Sequence, residues 1–318
     1  MFSSLFLRIL SVFVLIFLGG LARKTGILDG ASTTRLANAV KNFFYPALIF
    51  HSLFNNFTAS GLAENYLLPA GAFMIMAAGY LLGLLSSRFI RFRDAKQKSS
   101  FLFQCGINNY SFLPLPIILM LWGEHAVAML IFSTLGSEIA VWTFGVFALS
   151  GNRFQRESLR KLLSVPMVSI VIAVIAIFTR DFFSGSILFR NHFAAEAGAS
   201  LMSAVEMLGG ATIALAMFVV GSRIFMLESH HVFSLKQLYV AVIRLLAAPA
   251  AAIFLLFLMP LSPEMRQVLI VVAVMPAANA SVLLSEAYGS DVDFAASSVL
   301  ITHIFALVTI PLWLSFFI

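Results

Sequence analysis

Gln104-Cys-Gly-Ile-Asn-Asn-Tyr-Ser-Phe-Leu-Pro-Leu-Pro-Ile-Ile-Leu-Met-Leu-Trp-Gly123 is long and apolar enough to enter a membrane, yet it carries its own interruptions. Asn108, Asn109, Ser111, Pro114 and Pro116 all fall inside the hydrophobic run. In hydrocarbon a broken helix strands N–H and C=O groups, which is tolerated only against protein or beside a water-lined cavity. A second stretch, Val274-Met-Pro276-Ala-Ala-Asn279-Ala-Ser281, repeats the pattern within residues 268–287. One interrupted segment in each half of a chain is the sequence mark of a binding site at mid-membrane.

Composition agrees with a membrane setting. Of 318 residues, 61% are hydrophobic and 11% charged, whereas a soluble domain carries about 25% charged residues. The single cysteine, Cys105, excludes an intramolecular disulfide and a cysteine-cluster metal site. A net charge of +6 would suit nucleic acid, but the basic residues are placed as membrane topology requires. The expected surroundings are therefore a lipid bilayer, with no nucleic acid. Residues 3–21 lack a persuasive cleavage site and read as a retained first helix.

Apolar runs predict an all-α polytopic membrane protein with ten transmembrane helices, at 4–21, 38–56, 66–88, 100–122, 125–149, 161–179, 200–220, 236–259, 265–287 and 294–316. Fifteen of the 20 Lys and Arg residues fall in the linkers after the first, third, fifth and seventh spans. The intervening linkers hold only Arg180, Arg190 and Arg266. By the positive-inside rule both termini are expected on the non-cytoplasmic side of the membrane. Five spans per half imply two inverted five-helix repeats, residues 1–150 and 161–318, joined by a cytoplasmic linker at 151–160. A short echo, Leu121–Ala128 against Ala287–Phe294, falls after each interrupted run.

The expected binding residues follow from the breaks. Asn108 and Asn109 in the fourth span, with Asn279 and Ser281 in the ninth, offer donors and acceptors at mid-membrane. Half-helix N-termini after Pro114, Pro116 and Pro276 add positive dipole ends suited to a carboxylate. The plainer reading of each segment is a proline kink capped by an amide. Glu138 is a carboxylate at membrane depth, hence a candidate proton carrier or a partner for His303, and otherwise a helix–helix hydrogen bond. Arg244 has a stem long enough to snorkel to the interface, and alternatively attracts an anion from the cytoplasm. Glu206 lies near a span end among small residues, and Gly209, Gly210, Ala211 and Ala214 suit close packing or dimerisation. No HExxH, GxSxG or phosphate-loop motif appears, and His230-His231 alone makes no metal site, so no enzyme or cofactor is expected.

These segments resemble the auxin efflux carrier family in its bacterial, malonate-transporter-like branch, within the bile acid/auxin/arsenite transporter superfamily. The resemblance rests on Tyr45-Pro46-Ala-Leu-Ile-Phe50, Asn109-Tyr-Ser-Phe-Leu-Pro114-Leu-Pro116, Ala214-Leu-Ala-Met-Phe-Val-Val-Gly221, Met275-Pro276-Ala-Ala-Asn279 and Tyr288-Gly289. It implies a scaffold of helices one, two, six and seven, often at a homodimer interface. Helices three to five and eight to ten would form a mobile transport domain, with broken helices four and nine crossing beside the substrate. It also implies an elevator-like, secondary-active carrier of a small organic anion, with H+ or Na+ as candidate coupling ion. Two departures stand out: Ala211-Thr-Ile-Ala214 replaces a proline common in relatives, and the long cytoplasmic loop of plant auxin carriers is absent. The alternative from another class is a membrane receptor that binds the anion without moving it.

Overall fold

The computed structural model describes the backbone of residues 2–151, 163–183, 192–225 and 234–317, and the side chains there except residues 2–5, 8, 183 and 192–195. Residues 152–160 of the expected linker, with Arg153, Arg156 and Arg160, lie outside the described residues, as do Lys161, Arg190 and His230-His231. Among the described residues the protein is all-α. Its helices are α1 (Phe2–Lys24), α2 (Gly30–Ala39), α3 (Tyr45–Asn56), α4 (Ala59–Glu64), α5 (Leu67–Ser86), α6 (Ala95–Gly106), α7 (Pro114–Ala140) and α8 (Val146–Leu149). After them come α9 (Val165–Phe183), α10 (His192–Gly210), α11 (Thr212–Phe225), α12 (Leu235–Val242), α13 (Ala248–Leu258), α14 (Pro263–Ala273), α15 (Ser281–Ala287) and α16 (Val292–Phe317).

Local chemistry sets where these helices begin. Asp29, Thr58, Asp94 and Ser262 each accept a backbone N–H of the first turn, satisfying a donor the helix cannot satisfy itself. Pro114 and Pro263 open α7 and α14, where a missing N–H costs nothing. Wide π-helical turns at Val40–Phe44, Val141–Gly145 and Ile243–Ala247 join α2 to α3, α7 to α8 and α12 to α13.

The ten-span, two-repeat expectation is corrected here. Six helical stretches among the described residues are long and apolar enough to cross a membrane: Ala59–Phe89, Pro114–Leu149, Val165–Phe182, Glu196–Phe225, Leu235–Leu258 and Val292–Phe317. Four expected spans do not qualify. The segment 38–56 is helical throughout, across its π-helical turn, but Lys41, Asn42, His51, Asn55 and Asn56 leave it less apolar than the six. The segments 100–122 and 265–287 break at their Asn and Pro residues, leaving α6, α14 and α15 with 12, 11 and 7 residues. The segment 4–21 lies in α1, where the side chains of 4, 5 and 8 fall outside the described set.

Two groups of helices pack as units. In the first, α1 lies along α11, and α3 lies against α9 and α10. The α1–α11 approach depends on Gly221, where a Cβ would sit 1.7 Å from the Ile16 carbonyl oxygen. Thr33 and Ser222 share a buried hydroxyl contact of 2.7 Å across this group. The second group joins α5 to α6, α7 and α13, α7 to α14, and α12 to α16.

At its centre the two interrupted segments cross. The Asn109 N–H donates to the Pro276 carbonyl at 2.8 Å, and the Ala278 N–H donates to the Ile107 carbonyl at 3.2 Å. Asn108 and Ala277 thus form a single antiparallel bridge. Each break satisfies backbone groups that the other leaves open, as a low-dielectric interior demands.

Candidate functional site

Beside the crossing lies a cavity of about 330 Å³, between the two helix groups. Its floor is the breaks themselves, with Asn108 to Phe112 from one and Ala278 to Ala280 from the other. Asn38, Lys41, Tyr45 and Arg223 contribute from the first helix group, and Glu138 and Trp142 from α7 and the turn after it. The volume falls at the lower end of the range typical of small-molecule sites.

The polar atoms facing this space are unevenly satisfied. Asn109 Nδ2, both amide atoms of Asn279 and the Ser164 hydroxyl are buried without a hydrogen-bond partner among the described residues. Buried polar groups are normally paired, so unpaired ones on residues that line a cavity are suited to a polar ligand. Asn108 is half committed: its Nδ2 donates to the Val272 carbonyl at 2.5 Å, tying the first break to α14, while its Oδ1 is buried without a partner among the described residues.

Glu138 faces the same cavity and is held on both oxygens. Tyr110 Oη donates to Oε1 at 2.7 Å, and Trp142 Nε1 donates to Oε2 at 2.8 Å. Tyr110 belongs to the first break, so this carboxyl is bonded directly to the binding segment. His303 does not meet it. The imidazole Nδ1 lies 2.8 Å from the Val299 carbonyl one turn earlier on α16, and the ring is buried away from the cavity.

The remaining expected residues divide by position. Pro114 and Pro116 are buried behind the cavity at the start of α7, shaping the break without lining the space. Pro276 contributes its carbonyl to Asn109, and Ser281 is fully buried, accepting from Gln104 Nε2 at 2.9 Å. Glu206 lies in a separate opening, where its largely exposed carboxylate comes 3.8 Å from His51 Nε2. An exposed pair of this kind contributes little to stability. Arg244 is not at an interface: its side chain is fully buried within the second helix group. Gly209 serves packing inside the chain, since a Cβ there would come 2.9 Å from the Leu48 backbone.

Sequence reasoning missed Lys41 and Arg223 as site residues. Both had been counted only as loop charges, yet both line the cavity and neither forms an ion pair among the described residues. The signal available was their position at the edges of apolar runs on the basic side of the chain. Two cations and unpaired amides around one small cavity favour a ligand of negative charge. Among the described residues no group of three His, Cys, Asp or Glu side chains gathers as a metal site.

An all-α, multi-pass membrane protein with a largely apolar cavity, edged by amides and cations at crossed helix breaks, is built as solute carriers are. The chain is a member of the membrane transport protein family, whose model matches residues 4–164 and 156–314. It is similar to an uncharacterized transporter of Methanocaldococcus jannaschii, with 26% identity over 311 residues and 96% of each chain covered. A second uncharacterized transporter, of Methanothermobacter thermautotrophicus, is 25% identical over 309 residues, again with 96% of each chain covered.

Proposed function

We propose that this chain carries a small organic anion, a mono- or dicarboxylate, across the membrane by alternating access. The observation that carries the reading is the convergence of the unpaired Asn109 and Asn279 amides on a cavity that also holds Lys41 and Arg223. A carboxylate placed there would accept from the two amides and be neutralised by the cations, without stripping any hydrogen bond already made. The resemblance to the malonate-transporter-like branch of the auxin efflux carriers supports the same substrate class.

The first helix group, residues 2–56, 165–183 and 192–225, acts as a scaffold, and the second, residues 59–149 and 235–317, moves against it. Because the cavity lies between them, a shift of one against the other changes which side it faces. Glu138 serves as the proton site, since protonation removes negative charge from the wall of an anion site. A rim that holds Lys41 and Arg223 supports an opening toward the cytoplasm, by the positive-inside rule.

Counterflow uptake in proteoliposomes with labelled mono- and dicarboxylates tests this reading. Saturable exchange is expected, reduced roughly ten- to a hundredfold by Asn109→Ala or Asn279→Ala through loss of charge-assisted hydrogen bonds. Exchange unaffected in both well-folded variants would overturn the site. Binding without any flux would make the chain a receptor.

A further inference from the structure

Arg244 is the largest fully buried side chain among the described residues. It projects from the π-helical turn Ile243–Ala247 to where α6 and α14 both end at the crossing. Its Nη1 donates to the Cys105 carbonyl at 3.1 Å, and its Nη2 donates to the Ala273 carbonyl at 2.7 Å. Those carbonyls belong to the last turns of two interrupted helices, the ends where unsatisfied oxygens and negative dipole charge accumulate. Among the described residues no Asp or Glu forms an ion pair with the guanidinium.

A buried cation without a carboxylate is costly unless its surroundings are built for it. Here they are. Gly79 faces the same spot, where a Cβ would come 2.5 Å from the Cys105 oxygen and 3.2 Å from Arg244 Nη1. Carbonyl ends of broken membrane helices are also where carriers of this general construction hold a dissociable coupling cation. In this chain a tethered guanidinium occupies those oxygens.

We propose that Arg244 is a resident cation that fills the seat between the two helix ends, so that the crossing needs no sodium ion. The permanent charge keeps the crossing electropositive from within and favours an anion in the adjoining cavity. This rests on the carrier reading for its functional meaning, whereas the filled seat is a property of the fold and is measurable without transport.

The test is thermal unfolding of the purified full chain in sodium, potassium or choline chloride at one ionic strength, beside counterflow in the same salts. The parent protein and Arg244→Lys are expected to unfold at the same midpoint in all three salts. Arg244→Ala is expected to unfold earlier and to recover part of the loss in millimolar methylguanidinium or in sodium, but not in choline. A sodium-specific rise of the parent midpoint overturns the proposal; saturating occupancy of such a site would give on the order of 5 °C. Sodium-dependent exchange by the parent protein overturns it equally. If Arg244→Ala does not fold, the salt series on the parent and Arg244→Lys decides. Absence of any exchange, with salt-independent midpoints and rescue intact, rejects the carrier reading while the resident cation stands.

Discussion

Arg223 and Lys41 approach the cavity from the wall opposite the two breaks and give it two positive charges for one small ligand. A dicarboxylate can engage both, a monocarboxylate only one at a time. Arg223→Gln and Lys41→Gln are therefore each expected to raise the half-saturation concentration for a dicarboxylate roughly tenfold, and to change that for a monocarboxylate less. Competition by a chain-length series of unlabelled carboxylates in the counterflow assay reads this out. Glu138 sets a different dependence. Glu138→Gln removes a negative charge from the cavity wall while keeping a side chain of the same size, so apparent affinity for the anion should rise in the same counterflow assay. Asn109 and Asn279 were legible in the sequence because polar residues in apolar runs are conspicuous. Lys41 and Arg223 were not, because a cation at a helix end looks like any other topology signal until the tertiary fold turns it inward.

At the scale of elements, hydropathy reads composition and is blind to continuity. The runs 100–122 and 265–287 are apolar enough to be counted as spans, but the chain spends their polar residues on crossing one another rather than on completing helices. Close helix approaches were only partly visible as small residues. Gly136 on α7 is the tightest case against α5: a Cβ there would sit 1.8 Å from the Pro69 carbonyl oxygen. Gly136→Val should separate these helices and cost ~1–3 kcal/mol or more of stability, seen as an early unfolding midpoint and a smaller monodisperse fraction. The start of α6 should respond to acid. The Gln97 N–H donates to the Asp94 carboxylate at 2.8 Å and Arg93 adds a second contact, which together hold that carboxyl below its ordinary range. Its support is complete above the ordinary carboxylate value and is lost as pH falls through the lowered one. Amide exchange at Gln97 should therefore quicken in Asp94→Ala at neutral pH, and the difference should vanish in strong acid.

For the whole molecule, the two helix groups meet where α1 and α3 pack against α7 and α1 against α16, and one contact at this seam is Ser11 of α1 against Met120 of α7, with Oγ and Sδ 3.7 Å apart. Motion between the groups must break such contacts. Ser11→Cys with Met120→Cys, joined by a short bifunctional thiol reagent, should arrest exchange, and a cleavable reagent should restore it. Cys105 is buried and does not compete for the reagent. Labelled exchange before and after cleavage measures the effect; undiminished exchange in fully joined protein would refute relative motion at this seam.

The bridge between the breaks also dictates an order of assembly. Val272, the acceptor for the Asn108 amide, stands 164 positions later in the chain. While the ribosome is still making the second half, the first break enters the bilayer with its amide and backbone donors open. Biogenesis thus passes through a stage in which a nascent polar breach must be kept wet or shielded until its complement arrives. A fragment ending near residue 150 should consequently be degraded when made alone and survive when the rest is supplied as a separate polypeptide.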